Sequence, residues 1–261
     1  MAAIYVYRKG RLKKELKELF SAHESLDVSV VLPTYNEEAN VKRLISELGN
    51  VLKGYEYEIV VVDDNSKDKT PEIIDRYAAK GVVAALHRYG IRGIFSAIND
   101  GIKVAEGKTV VIMDADFSHP PSLLPQLLSK IPDYDVVSGS RFCKGGGINA
   151  PSLRKFSTLA FNTAIRFILG AKITDWTGGF HAIRKDAYEQ LKFKYPASWG
   201  EFDLELLYRA KKAKLKIFEV PFVYNFREEG ASKSAEGFSF FFGYAIKYGL
   251  RAIRLRFFDW L

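Results

Sequence analysis

The amino-acid sequence predicts an α/β domain, a mostly parallel sheet with helices on both faces, and three observations lead there. Short, predominantly apolar runs recur through the first half, at 28–32 (VSVVL), 58–62 (EIVVV), 82–86 and 109–113 (TVVIM), with a further short strand at 135–138. Strands covered on both faces read this way, whereas half-exposed strands alternate. Between the runs lie segments with helical spacing of apolar residues, and a repeated strand–helix–strand order implies parallel strands joined by crossover helices. Three of the runs end in polar segments rich in carboxylates, and ligands of parallel sheets bind beyond the carboxyl ends of the strands.

Taken in order, residues 8–20 (RKGRLKKELKELF) are charged and helix-prone, with Leu12, Leu16, Leu19 and Phe20 on one face. A docking helix with a solvated basic face and a helix lying on a membrane surface both fit that pattern. The first strand is followed by a helix over 37–52 and the second strand. Thr70-Pro71 opens the next helix, because proline in the first turn forfeits only an N–H that has no helical partner. A strand at 82–86, a helix over 95–105, a strand at 109–113, a helix over 122–131 and a strand at 135–138 complete the regular half. The second half predicts a flexible loop at 144–149, a long helix over 153–169, a turn leading into a short strand over 175–184, a helix over 202–213, a strand at 216–220 and a polar loop over 227–237. No repeat and no linker-like stretch divides the chain. The expected organisation is one domain over 27–235, a basic helical segment over 1–26 before it, and an amphipathic helix over 236–261 after it.

The totals narrow the function. A net charge of +8 and an isoelectric point near 9.3 suit an anionic partner. The arginines and aromatics are scattered and no nucleic-acid motif is present, so a nucleic-acid-binding module is the weaker reading of that charge. The one cysteine, Cys143, excludes an intrachain disulfide and a cysteine-rich zinc site. Residues 1–11 lack the apolar stretch of a signal peptide, and no segment reaches the ~18 apolar residues of a spanning helix; the expectation is a soluble or peripheral protein. No G-x-G-x-x-G follows the first strand and no G-x-x-x-x-G-K-[ST] occurs, which counts against a dinucleotide dehydrogenase and a P-loop NTPase.

The candidate chemistry lies at the strand ends. The first strand runs into Pro33-Thr34-Tyr35-Asn36-Glu37, the second into Asp63-Asp64-Asn65-Ser66 and the fourth into Asp114-Ala115-Asp116. Like charges gathered on one rim repel, and a divalent cation would reconcile them. Mg²⁺ and Mn²⁺ prefer oxygen ligands and bind through one or two carboxylates with substrate phosphates. Asp114 and Asp116 stand two apart, so on an extended backbone they point the same way. Helix and turn capping by the same acids is the alternative.

In order along the chain, VVLPTYNE, VVVDDNSKD, RYGIRGIFSAINDG, MDADFSHPP and SGSRF resemble family 2 glycosyltransferases of GT-A fold, a Rossmann-like architecture. HPP after the D-x-D motif, SGSR, LRKFS and EEGASK narrow the resemblance to dolichol-phosphate mannose synthases and related polyprenyl-phosphate sugar transferases. It spans about residues 28–234. The resemblance implies that Pro33, Tyr35 and Glu37 line a nucleotide site, that Asp64 meets base or ribose with Asp63 beside it, and that Arg88 and Arg92 lie in a loop closing over the nucleotide. Asp114 and Asp116 would hold Mg²⁺ or Mn²⁺. Asp116, Arg141 and Arg154 would carry catalysis, with Arg141, Arg154 and Ser157 on the acceptor phosphate. Arg227, Ser232 and Lys233 match a mobile phosphate-contacting loop.

The resemblance also implies the reaction: inverting transfer of a hexose, mannose from GDP-mannose first, to dolichyl or another polyprenyl phosphate at the cytoplasmic face of a membrane, with a membrane-protein partner compatible with the chain. Other readings are a UDP-sugar donor, a saccharide or protein hydroxyl as acceptor, and a non-catalytic nucleotide sensor. Ser118 stands where some relatives carry glutamine, and His181 where many carry arginine. No Q-x-x-R-W is present, which argues by analogy against a processive polysaccharide synthase. His119 reads as a turn-fixing residue, Trp176 as sugar-lining or core, and Glu205 as the partner of an arginine. The aromatic and cationic C-terminus suits an interfacial helix or one packed on the domain.

Overall fold

The structure, a computed structural model, describes residues 3–8, 26–90, 92–193, 201–225 and 238–258. Its main sheet has eight strands: β1 (Ala3–Arg8), β2 (Val28–Thr34), β3 (Tyr57–Asp63), β4 (Ala84–Tyr89), β5 (Thr109–Ile112), β6 (Val136–Ser140), β8 (His181–Arg184) and β9 (Ile217–Pro221). A separate pair, β7 (Gly147–Ile148) and β10 (Val223–Tyr224), is parallel. The helices are α1 (Val41–Val51), α2 (Thr70–Ala78), α3 (Ile94–Val104), α4 (Leu124–Leu128, entered through a 3₁₀ turn), α5 (Ser152–Leu169), α6 (Lys185–Glu189), α7 (Phe202–Lys212) and α8 (Phe238–Phe257).

The sheet order is β1-β4-β3-β2-β5-β8-β6-β9. All its pairings are parallel except those of β8, which runs antiparallel to both β5 and β6. The chain winds outward from β2 through β3 to β4, then returns to place β5 on the other side of β2. The order therefore reverses between β2 and β5, and a crevice opens there at the strands' carboxyl ends. β8 starts where its parallel neighbours end, so its first residues reach the same rim.

The alternating direction of strand side chains divides the interior into two layers. Val30, Leu32, Ile59 and Val61 pack with Val41, Leu44, Ile45 and Leu48 of α1, Ile74 of α2 and Leu124 and Leu127 of α4. Val31, Val60 and Val62 pack on the opposite face with Phe95, Ile98 and Ile102 of α3, and that layer extends to Ile165, Leu169, Leu206, Ala252 and Leu255 of α5, α7 and α8. Gly101 lets α3 lie close, since a Cβ there would stand 2.5 Å from a Val31 methyl.

The runs expected to be strands are strands. The segment expected to be helical over 1–26 begins instead as an edge strand, β1, parallel to β4; residues 9–25 lie outside those described. The loop at 144–149 contains β7, which is held by β10. The C-terminal helix packs on the domain. Its Tyr248 meets Phe161 of α5 edge-on at 5.9 Å, and its Arg251 bonds to Glu205, which also accepts from Arg209 Nε at 2.6 Å. Glu205, an arginine partner as expected, is fully buried. Trp176 is core as well, its indole N–H donating to Ile173 O at 3.1 Å.

Two outcomes follow. Glu205→Ala removes the buried carboxylate shared by Arg209 and Arg251, and urea unfolding should show a loss of about 3–5 kcal/mol; a loss under about 1 kcal/mol would refute the anchoring of α8 through this cluster. His87 stands 2.9 Å from Asp75 and 3.6 Å from Asp63, stacked on Tyr89. Burial disfavours its charge, but Asp63 and Asp75 outweigh burial and raise its pKa above 6.5. A raised pKa contributes stability that is complete below pH ~6.5 and lost as pH climbs through the folded value. The stability gap between wild type and His87→Gln should therefore shrink as pH rises above ~6.5, and a gap independent of pH would contradict the pairing.

Candidate active site

Two loops at the strand ends are stitched to each other. The β2–α1 loop turns at Asn36 (φ 51°) and the β3–α2 loop at Asn65 (φ 64°), and asparagine tolerates this left-handed geometry. The Asn36 N–H donates to Ser66 Oγ at 2.8 Å, and Asn36 Oδ1 accepts from the Lys67 N–H at 2.8 Å. The Glu37 N–H donates to Thr70 Oγ1 at 2.8 Å, and Glu37 Oε2 accepts from Asn40 at 2.9 Å. Pro33 lies in β2, paired with Val62. Tyr35 is half-buried and the Arg92 guanidinium lies over its ring, 3.8 Å from the centroid. Of these residues, Tyr35 and Arg92 are in direct contact, while Glu37 is tied to Thr70 and Asn40.

The acids after β3 have other duties. Asp63 is buried and accepts from the Ser66 hydroxyl and amide. Asp64 accepts from Arg88 Nη1 at 2.8 Å and from the Gly93 N–H at 2.7 Å. Its pKa is raised, chiefly by burial, against the opposing pull of Gly93 and Arg88. Arg88 is the clearest correction. It belongs to β4, not to a loop over the nucleotide; it is fully buried, with Asp100 3.2 Å from its Nε and Ser96 2.5 Å from Nη2. The Asp64–Arg88 pair positions the Gly93 turn, which carries Arg92.

β5 ends in Asp114-Ala115-Asp116, followed by Phe117 at φ 63°. A left-handed phenylalanine costs about 1–3 kcal/mol, and the Arg43 guanidinium covers its ring at 4.0 Å. Asp116 Oδ1 accepts the Ser118 N–H at 3.1 Å. His119 holds the turn from behind, its Nδ1 accepting the Asp114 N–H at 2.9 Å while Nε2 meets Gly178 O at 2.7 Å. With Nδ1 an acceptor, the ring is neutral and Nε2–H donates. Burial lowers its pKa to about 4. His119 fixes the turn, as expected.

The phenol of Tyr224, in β10, belongs to this rim: its pKa is raised first by burial, then by Asp116 and Asp114. The motif reading had no signal for it. Arg141, expected on a phosphate, grips Asp175 with Nε and Nη2, both at 2.7 Å, and donates to Thr177 O and Oγ1 at 2.8 Å. Burial would raise the Asp175 pKa, but Arg141 outweighs it and the carboxyl is held low. Arg141 therefore ties the end of β6 to the 175–178 loop, a positioning duty rather than an open cation. Arg154 and Ser157 sit in the first two turns of α5, Arg154 exposed, with Ser157 Oγ donating to Arg154 O at 3.0 Å. Arg227, Ser232 and Lys233 lie outside the described residues. His181 and Asp203 also meet near the rim, at 3.3 Å.

The matches to known proteins agree with this geometry. A family model described as "Glycosyl transferase family 2" matches residues 29–192. A dolichol-phosphate mannosyltransferase of Pyrococcus furiosus is 38% identical over 80% of this chain and 59% of its own length, so the chain spans under two thirds of that relative. An undecaprenyl-phosphate mannosyltransferase of Micrococcus luteus is 34% identical over 80% of this chain and 88% of its own. A dolichol-phosphate mannosyltransferase of Saccharomyces cerevisiae is 32% identical over 80% and 81%. Among solved structures, glucosyl-3-phosphoglycerate synthase of Mycobacterium tuberculosis, in complex with Mn²⁺, UDP and glucosyl-3-phosphoglycerate, superposes with a TM-score of 0.64 at 20% identity, over 98% of this chain and 88% of that one. Its likeness establishes the GT-A fold. By sequence, by fold and by the carboxylate turn at the β2/β5 crevice, the chain belongs to glycosyl transferase family 2.

Proposed function

We propose that this chain transfers a hexose from a nucleoside diphosphate, GDP-mannose first, to dolichyl or another polyprenyl phosphate, with inversion, at the cytoplasmic face of a membrane. The observation that carries the reading is the Asp114–Asp116 turn, clamped by His119 after β5, next to the strand β2 whose following loop carries Tyr35 under Arg92, where the strand order reverses. The names of the three relatives supply the acceptor class.

The donor set suits a hard divalent cation. Asp114 and Asp116 offer carboxylate oxygens, with a phenol beside them. Among the described residues no group of three or more His, Cys, Asp or Glu side chains is placed to hold a metal ion. Mg²⁺ or Mn²⁺ at Asp114 and Asp116 would take further oxygens from the donor diphosphate and water, and would neutralise the departing diphosphate. Tyr35 and Arg92 flank the nucleotide. Arg154 and Ser157 stand at the start of α5 for the acceptor phosphate, and Arg227 and Lys233, with Ser232 on the same phosphate-contacting loop, belong to the nucleotide sugar by motif. That phosphate has a second pKa of ~6, so it is largely a dianion at neutral pH and needs no protein base. Catalysis then rests on holding the acceptor oxygen in line behind the anomeric carbon.

The outer faces of α5 and α8 support the membrane-surface reading. Leu153, Phe156, Leu159 and Phe167 of α5 are exposed, as are Ile246, Leu250, Ile253 and Phe257 of α8. Neither helix contains an acidic residue, and Arg154, Lys155, Lys247 and Arg254 stand at exposed positions among the apolar ones. Apolar stripes set among cations suit an anionic bilayer surface. No helix of the described residues is long and apolar enough to cross a membrane.

A panel of GDP-mannose, UDP-glucose and UDP-N-acetylglucosamine with polyprenyl phosphate and Mn²⁺ or Mg²⁺, read by organic extraction, tests the reaction. Asp116→Ala should lower turnover on the order of a thousandfold, and excess chelator should weaken nucleotide diphosphate binding at least about tenfold in calorimetry; near-normal turnover in the variant would remove the metal assignment. Deleting α8 would strip Ala252 and Leu255 from the core, so docking is better tested at the surface. Phe156→Glu with Leu250→Glu should keep the melting temperature and reduce co-sedimentation with anionic vesicles about tenfold or more, each side chain forfeiting about 1.5–3 kcal/mol of burial. Unchanged co-sedimentation would sink the docking face.

A further inference from the structure

One carboxylate near the rim has no part in the mechanism above. Asp203, on the first turn of α7, places Oδ1 3.3 Å from His181 Nε2. His181 is fully buried at the start of β8, opposite Ile112 and Ser138, so the sheet fixes its backbone. Its Nδ1 is buried without a hydrogen-bond partner. A carboxylate accepts, so Nε2–H donates and the imidazole sets the carboxylate's orientation. The side chain of Asp203 retains 12% exposure.

The surroundings place that carboxylate beside the His119 clamp of the carboxylate turn. Its charge acts on His119, which also feels Asp116, and on Arg141. Oδ2 lies 3.7 Å from the point a Cβ on Gly179 would occupy, and the same Cβ would come within 3.1 Å of His119 Cε1. Gly179 (φ 70°) therefore leaves a side-chain-free space bordered by Asp203 and the His119 clamp.

An acid bordering the clamp of the Asp114–Asp116 turn repels a diphosphate and a lipid phosphate alike. The part of the two substrates that presents hydroxyl donors without charge is the hexose between them. We propose that Asp203, aligned by His181, accepts hydroxyl hydrogens of the donor hexose and is a specificity-determining residue for the sugar. This rests on the nucleotide-sugar reading of the site. The histidine gives this chain a shorter support for the acid than an arginine would.

The test compares GDP with GDP-mannose, and UDP with UDP-glucose, by calorimetry in Mn²⁺ for the intact wild-type chain, Asp203→Asn and His181→Asn. In the pair that wild type prefers, Asp203→Asn should leave the nucleotide diphosphate Kd within about twofold and weaken the nucleotide sugar about tenfold or more, as loss of a charged hydrogen bond does. His181→Asn should shift the same ratio in the same direction by less. A loss shared equally by diphosphate and sugar nucleotide overturns the proposal, as does full sugar-nucleotide affinity with lost transfer, which would put Asp203 on the acceptor side. Should Asp203→Asn fail to fold, the His181→Asn ratio decides alone, an unchanged ratio refuting the idea. Wild type binding neither diphosphate would instead bring down the nucleotide-sugar reading itself.

Discussion

A neutral imidazole with both nitrogens in use holds the site together. His119 accepts from the amide of Asp114 and donates to the carbonyl of Gly178. The first bond fixes the end of a parallel strand, and the second fixes the loop that feeds the antiparallel strand inserted beside it. Only an uncharged ring can do both, and burial keeps it uncharged down to about pH 4. Stacking on Phe180 at 4.9 Å holds the ring in the plane that serves both bonds. The turn it secures also contains a left-handed phenylalanine, a conformation that persists only where neighbours over-determine it.

Around that clamp, charge is used mostly to build the rim and less to meet ligands. Asp64 with Arg88 fixes the Gly93 turn, Arg141 with Asp175 fixes the 175–178 loop, and Asp63 closes its own turn through Ser66. Buried pairs of this kind contribute little net stability beside an apolar substitute. Their value is geometric, since the Asp64–Arg88 and Arg141–Asp175 pairs join segments 24 and 34 residues apart at a defined spacing. The rim therefore meets a ligand with little left to reorganise, the condition under which fixed dipoles and charges favour a developing charge most strongly.

The strands were legible because burial on both faces leaves a local mark, the predominantly apolar run, and the strand ends carried their polar motifs openly. What escaped was non-local. Nothing near β8 tells whether residues 181–184 run parallel or antiparallel to their neighbours, because the local pattern is the same. Arg141 and Asp175 stand 34 residues apart, and motif spacing identifies the arginine without its partner, which is how a positioning cation reads as a phosphate ligand. Arg88 was misplaced because the strand runs to Tyr89, beyond the apolar stretch that ends at Leu86. Tyr224 reaches the carboxylates from a two-residue strand, too short to leave a periodic signal. Asp203 did have a signal, an acid in the first turn of a helix, but helix capping explains such an acid equally well.

The C-terminal helix shows why the two roles weighed for it are compatible. An amphipathic helix is usually assigned one apolar face, packed either on a domain or on a lipid surface. In α8 the core takes Tyr248, Ala252 and Leu255, spaced four and three apart, while Ile246, Leu250, Ile253 and Phe257 form a second stripe that faces out. Arg251 beside the first stripe bonds to Glu205, an acid on α7 two residues after Asp203. The helix is thus seated by the same short helix that brings a carboxylate to the rim. Whatever meets its outer stripe is held at a fixed height relative to Asp114 and Asp116, because α8, α7 and the sheet share one packed layer. On the proposed reading, that height would decide whether a lipid phosphate tethered to a bilayer reaches the rim at all, so the packing of α8 would act on reactivity through distance without the helix touching either substrate.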